Sequence, residues 1–305
     1  MLDLKVNTFL KVVELGSYTA AANALHLTQP AVTQHIARLE EYYGCRFFQP
    51  EGRAMKLTEE GQNFLHYARM QQSNEEQLLR SLARVRRPLS LGSTLSIADY
   101  YLPELLIPLS GEPDFTIHVS VGNTETLLGK LLNGRLDAAF IEGIFDRSLF
   151  EAKVFRTPRF VPVVSAGHPL AGRPVKLPEL YGFPLIAREP GSGTRAIMEN
   201  YLAQHNSGTN AFAAVWEVGS FALIKQFLQN TNAISFMYEA VALREVGERK
   251  LALLDIEGYR LSHALHFVYL KNNLESRRIE EFYDLLLSGE GNREAAQRPK
   301  RPSGA

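Results

Sequence analysis

The sequence predicts a multi-domain chain: a mainly α N-terminal module, a long helix, and a C-terminal α/β part. Three observations predict it. Apolar residues recur at helical spacing in the opening segments, and a short hairpin follows them. No proline interrupts the stretch between Thr58 and Pro88. Beyond Leu89, short apolar runs alternate with helical periods, which is the pattern of an α/β fold with largely parallel sheets. At about 100–200 residues per domain, 305 residues make two or three domains.

The elements follow in order. Val6, Phe9, Leu10 and Val13 mark one face of a first helix, and Gly16 ends it. Ser17 or Thr19 caps a second, alanine-rich helix from Ala20 to His26. After the turn Leu27-Thr28, Gln29-Pro30 opens a third helix, since proline is tolerated in a first turn. That helix runs to about Tyr43, and Gly44 stops it. Val32, Ile36 and Leu39 share its apolar face, while Thr33, Gln34, Ala37 and Arg38 take the opposite arc. Arg46 to Thr58 reads as a two-stranded hairpin whose tip carries Arg53. Thr58 then caps a helix with Glu59 and Glu60 in its first turn, where negative charge suits the dipole. Some 29 residues at 1.5 Å each would span roughly 43 Å. Leu78, Leu79, Leu82 and Val85 cluster near its end and predict a partner chain over them, hence a homo-oligomer.

In the α/β part, strands are expected near 89–91, 116–121, 137–141, 160–164, 185–187, 214–217, 233–236, 251–255 and 267–270. Helices are expected near 97–109, 125–133, 195–205, 220–229, 238–246 and 277–287. The expected domains are 1–58, a linker helix over 59–88, and an α/β domain over 89–290. The last divides into a sub-domain of about 89–162 with 265–290, and a second of about 163–264. Residues 291–305, polar with Pro299 and Pro302, read as a disordered tail.

Composition narrows the function. Hydrophobic residues make up 45% and charged residues 22%, so real cores are available. One cysteine, Cys45, excludes an internal disulfide and suits a reducing compartment. There is no run of about 18 uncharged apolar residues, and the start lacks the order of a signal peptide. The expectation is a soluble, cytoplasmic protein without a membrane. The 33 basic and 33 acidic residues balance, yet residues 1–87 hold 11 of the former and 9 of the latter. That weak gradient permits nucleic-acid binding at the N-terminus without arguing for it.

Two constellations carry chemistry. The first is the polar arc of the third helix, preceded by a short turn, which is what a helix-turn-helix needs in a major groove. Gln29 and Gln34 pair donor with acceptor for base edges, Thr33 suits a thymine methyl or a phosphate, and Arg38 suits a phosphate. A plain three-helix module with a solvated polar face fits the same pattern. The second constellation is three small-residue loops at strand ends: Gly92-Ser93-Thr94-Leu95-Ser96, Gly122-Asn123-Thr124 and Gly191-Ser192-Gly193-Thr194. Each opens onto a helix N-terminus, where free N–H groups and hydroxyls hold anions without a lysine. Each alone is also an ordinary capped turn. No nucleotide-binding, P-loop or hydrolase motif is present, and no acid, base and nucleophile set assembles, so neither enzyme nor cofactor is expected.

The wording raises the first reading. Ser17-Tyr18-Thr19-Ala20-Ala21-Ala22, Leu27-Thr28-Gln29-Pro30-Ala31-Val32-Thr33-Gln34, Leu39-Glu40, Phe47-Phe48 and Leu57-Thr58-x-x-Gly61 resemble the winged helix of LysR-type transcriptional regulators. The resemblance continues through the linker helix and the α/β part. It implies a recognition helix from Gln29 and Pro30 through Thr33, Gln34 and Arg38, with Arg53 on the wing. It also implies a partly palindromic duplex operator, a dimer of dimers, RNA polymerase as a further partner, and an effector cleft between two sub-domains of periplasmic-binding-protein type. Thr33-Gln34-His35 stands where the family often has a serine and an arginine, so base preference does not carry over. Asn123-Thr124, Phe140-Ile141-Glu142-Gly143 and Arg188 to Arg195 narrow the resemblance to regulators of sulfur assimilation and Calvin-cycle carbon fixation. By it, the effector is a small polar metabolite, an anion such as a sulfur compound or phosphorylated metabolite. The matching positions are Thr94, Ser96, Asn123, Thr124, Glu142, Ser192 and Thr194. Glu142 repels an anion unless it is protonated or paired, with Arg195 the expected partner; it would instead hold an amino group.

Overall fold

The computed structural model describes residues 3–51, 54–82, 88–110, 116–271 and 273–297. They form two compact units, the first ending in the linker helix and the second beginning at Pro88.

The first unit holds α1 (Leu4–Leu15), α2 (Tyr18–Ala24), α3 (Gln29–Tyr43), β1 (Phe48–Glu51), β2 (Ala54–Leu57) and α4 (Glu59–Leu82). Capping explains the breaks. Asp3, Ser17 and Thr28 accept first-turn N–H groups of α1, α2 and α3, so Ser17 and not Thr19 caps α2. Gly44 ends α3 at a φ of 67°, where a Cβ would be strained. Val32, Ile36 and Leu39 are buried with Phe9, Val12, Phe47 and Phe64 in one core. The Leu57-Thr58-x-x-Gly61 motif has a physical reason. The Thr58 hydroxyl donates to Arg46 O (2.6 Å) and caps Gly61 N (2.9 Å). A Cβ at Gly61 would lie 2.1 Å from Phe47 O, so only glycine lets α4 start against the wing. Helix α4 is described to Leu82; Arg53, Val85 and the Leu82 side chain lie outside the described residues.

The second unit carries two five-stranded sheets. Its elements are β3 (Leu89–Thr94), α5 (Leu95–Tyr100), α6 (Leu102–Leu106), β4 (Ile117–Gly122), α7 (Thr124–Leu132), β5 (Ala138–Ile141), β6 (Phe150–Arg156) and β7 (Phe160–Ser165). Then follow β8 (Pro174–Val175), β9 (Pro184–Ala187), α8 (Gly193–Gln204), β10 (Ala214–Glu217), α9 (Phe221–Asn230), β11 (Ile234–Tyr238) and α10 (Glu239–Gly247). Last come β12 (Leu251–Leu253), β13 (Asp255–Ile256), β14 (Leu265–Leu270) and α11 (Ser276–Gln297). One sheet has the order β4-β3-β5-β14-β6, the other β10-β9-β11-β7-β12.

Several expectations need correction. The sheets are mixed rather than largely parallel. The β4-β3-β5 and β10-β9-β11 pairings are parallel, but β14 and β7 run antiparallel to their neighbours. The cause is the double crossover: each sheet is completed by a strand arriving from the other. The first crossover falls between Arg156 and Phe160, just before the expected 162. The single helix expected over 97–109 is broken into α5, α6 and a 3-10 turn at Ile107–Leu109, because Pro103 and Pro108 each lack an N–H. Strand β6 is not among the expected strands: three of the seven residues of Phe150-Glu-Ala-Lys-Val-Phe-Arg are charged on this edge strand. The expected tail is helical in α11 as far as Gln297, and 298–305 lie outside the described residues.

Candidate functional site

On α3 the third-helix arc is exposed as expected: Gln29, Pro30, Thr33, Gln34, Ala37 and Arg38 all face solvent. The Thr33 hydroxyl donates back to Gln29 O (3.1 Å) and accepts from Gln29 Nε2 (3.1 Å). Its proton is committed to the helix, which leaves the methyl as its free group. His35 is half-buried, and its Nδ1 lies 2.9 Å from the Thr8 hydroxyl, joining α1 to α3. Glu40, part of the Leu39-Glu40 motif, has a structural role that the motif alone does not reveal. It is 8% exposed and accepts from Phe47 N (2.8 Å) and Arg46 (2.6 Å). That buried carboxylate fixes where the wing begins relative to α3. Along α4, Leu78 and Leu79 are 49% and 60% exposed.

In the second unit the first two loops follow the adjacent parallel strands β3 and β4, and the third follows β9 of the other sheet. The chain reverses strand order around β3 and around β9, and crevices open outside strand ends at such switch points. Thr94, Ser96, Thr124, Glu142, Ser192 and Thr194 are all buried there, and Asn123 is half-buried. Gly92 to Thr94 belong to β3 rather than to a loop. A Cβ at Gly92 would lie 2.7 Å from Leu127 and Leu136, so the glycine serves packing.

The hydroxyls are already engaged. Thr94 Oγ1 donates to Glu142 Oε2, and Ser96 Oγ donates to Glu142 Oε1 (2.8 Å). Thr124 Oγ1 donates to Glu142 O (2.8 Å), and the Ser192 and Thr194 hydroxyls lie 2.8 Å apart. Asn123 caps α7 by accepting from Thr126 N (2.9 Å). Burial holds the Glu142 carboxyl above its ordinary value, while the Thr94 and Ser96 hydroxyls and the Arg188 charge pull it back.

The expected Glu142–Arg195 pair is not formed. Arg195 binds Glu199 and Glu217, each at 2.7 Å, and donates to Arg188 O (3.1 Å). The cation that acts on Glu142 is Arg188, 6% exposed, forked onto Glu189 at 2.8 and 3.0 Å and 4.7 Å over the Phe221 ring. Buried Tyr101 and Tyr238 sit within the field of Glu142, and neither phenol oxygen has a hydrogen-bond partner among the described residues. Neither tyrosine stands out in the sequence, because aromatics among apolar residues at an element's end read as core. A cavity of about 370 Å³ lies beside this cluster, lined by Thr124, Glu125, Ile144, Ser192, Gly193 and Arg195 among others.

A three-helix module with a hairpin and an exposed polar helix face, followed by two α/β lobes whose strand ends carry buried hydroxyls, has the architecture of a ligand-binding regulator of DNA. The model of the bacterial regulatory helix-turn-helix protein, lysR family, matches residues 5–62, and that of the LysR substrate binding domain matches residues 83–290. The chain belongs to the LysR family of DNA-binding transcriptional regulators, with an effector-binding domain of the kind that takes small metabolites. It is 29% identical over 286 residues to the transcriptional activator CmpR of Synechocystis, covering 92% of this chain and 93% of that one. It is 29% identical over 290 residues to the RuBisCO operon transcriptional regulator of Allochromatium vinosum, covering 93% and 95%. The CcmR regulatory domain of Synechocystis, solved in complex with 2-PG, superposes with a TM-score of 0.59. That match has 24% identity and covers 66% of this chain and 96% of CcmR.

Proposed function

We propose that the winged helix binds a partly palindromic operator and that a small anion in the cleft biases how the bound oligomer sits on it. The observation that carries the effector reading is the convergence of buried hydroxyls, Thr94, Ser96, Thr124, Ser192 and Thr194, with the first turns of α7 and α8. Asn123 and Glu142 complete the set. The relatives named as RuBisCO regulators and the CcmR complex with 2-PG support a phosphorylated metabolite or similar anion. A ligand held by an ammonium group is the second reading, favoured by the direction of the Thr94 and Ser96 protons. Both hydroxyls point at a carboxylate, so the cleft presents an acceptor.

Exposed Leu78 and Leu79, with Leu82 and Val85 beyond them in sequence, are the surface on which two chains pair. Two such dimers on adjacent half-sites make the homotetramer, with RNA polymerase as the further partner. The protein works in the cytoplasm as a regulator rather than an enzyme. No helix among the described residues is long and apolar enough to cross a membrane.

Base reading belongs to Gln29 and Gln34, with the Thr33 methyl against a thymine methyl and Pro30 setting the helix start, and backbone anchoring to Arg38 and Arg53. Gln34→Ala therefore costs about 1–3 kcal/mol at the specific site and relaxes base preference. Gel-shift titration against specific and random duplexes checks this. An unchanged ratio of the two affinities removes Gln34 from the reading face.

A further inference from the structure

Besides side-chain contacts such as Lys225 Nζ donating to the Tyr100 hydroxyl (3.3 Å), the two lobes of the second unit meet through backbone beside the hydroxyl cluster. The N-terminal turn of a helix leaves N–H groups without acceptors in its own helix. For α7, one of these is Glu125 N, and its acceptor is Gly191 O of the opposite lobe (3.2 Å). Asn123, the cap of the same helix, reaches Pro190 O with Nδ2 (3.5 Å). So the loop after β9 supplies carbonyls to a helix end of the other lobe.

Three glycines make this approach possible. A Cβ on Gly193 would lie 2.3 Å from Glu142 O and 2.7 Å from both Glu142 C and Thr124 Oγ1. A Cβ on Gly143 would lie 2.6 Å from the Cα of Gly193. A Cβ on Gly191 would lie 2.5 Å from Glu125 Oε2. Two of these contacts are backbone against backbone, which cannot yield as a flexible side chain does.

We infer that residues 190–193 are a latch that shuts the cleft with the protein's own peptide groups, before any effector binds. The closed lobes then need no ligand to bridge them. An effector acts by strengthening or breaking a contact that exists without it, which is a bias on a pre-existing equilibrium.

Gly193→Ala isolates the device. Gly193 opens α8 outside the left-handed backbone region, and alanine is a better helix former than glycine. The added methyl therefore suits its own helix, and the three atoms nearest to it all belong to the opposite lobe. Gly129→Ala is the control, because nothing lies within 4 Å of the position its Cβ would take.

The test is hydrogen–deuterium exchange of the full chain without ligand, read residue by residue after electron-transfer fragmentation. In the wild type the Glu125 amide exchanges at least tenfold more slowly than an unprotected peptide amide. In Gly193→Ala that protection is lost, while amides of the central strand β3 and those of the Gly129→Ala control stay slow. Retained protection at Glu125 in a folded Gly193→Ala variant overturns the latch. So does a Glu125 amide that exchanges freely in the wild type, a result that stands even if the variant fails to fold.

Discussion

Phe9→Ala abolishes operator binding and leaves the effector domain folded. Phe9 is fully buried in α1. Its ring lies 5.3 Å from Phe47, 5.5 Å from Phe48 and 4.8 Å from Phe64, so one side chain joins α1 to the wing and to the start of α4. Truncating a buried phenylalanine to alanine costs about 3–5 kcal/mol through lost burial and the cavity left behind. A small domain holds little more than that, at about 0.05–0.15 kcal/mol per residue. Thermal denaturation followed by circular dichroism should show the DNA-binding transition fall or vanish, with the effector-domain transition in place. If both transitions move together, the two units do not fold as separate cores.

Glu142→Gln separates the two ligand signs and removes a pH dependence. Glu142 is 1% exposed and lies among the cleft hydroxyls. An anion entering beside its carboxylate meets a like charge. At an effective dielectric of about 20 and a separation of about 5–6 Å, that repulsion is about 3 kcal/mol, roughly a hundredfold in affinity. Glu142→Gln should tighten an anion up to that extent and weaken an ammonium ligand by a comparable factor. Calorimetry on the full chain with 2-PG and with amino acids reads the sign.

The stability effect has a direction too. The folded carboxyl holds its proton more tightly than the unfolded one, so the native state binds more protons between the two values. Stability is fully present below the ordinary value of 4.5 and falls as pH rises through the folded value. The variant loses that slope, so it gains on the wild type as pH rises. Denaturant melts of wild type and variant from pH 4 to 8 check this. Parallel curves would mean that Glu142 is as easily ionised folded as unfolded.

Much of the first unit is legible because local rules act alone there. The Thr28 cap, the Gln29-Pro30 start, the buried face of Val32, Ile36 and Leu39, and Gly44 as terminator each depend on a few neighbours in the chain. The reasons behind Gly61 and Glu40 are not local. Gly61 answers to the carbonyl of Phe47, and Glu40 to the backbone of Phe47 and the side chain of Arg46. In the second unit, strands buried on both faces, such as β5 and β7, announce themselves as apolar runs. The edge strand β6 does not. Strand direction was misread because an alternating pattern carries no record of which sheet a strand joins.

The cleft shows the same division. Its hydroxyls could be named one by one, since each lies where a strand gives way to a helix. Their partners could not. Glu142 was expected beside Arg195, yet Arg195 is drawn to Glu199 one turn along its own helix and to Glu217 on β10. Arg188 takes the cationic place from the end of β9, held by Glu189 and the ring of Phe221. Such choices among several carboxylates are made by tertiary distance, which no spacing in the chain encodes.

Footprinting of the full chain tests the central claim most directly. The operator is first selected from random duplexes by the wild-type protein. The panel is 2-PG, inorganic phosphate, sulfate and amino acids, with binding of each established by calorimetry. A ligand that binds should change the extent or spacing of the protected segments on that operator. A Glu142→Gln change in its affinity should shift the concentration at which the footprint changes by the same factor. A footprint that stays identical while a ligand saturates the cleft would contradict the account, because occupancy would then carry no information to the DNA.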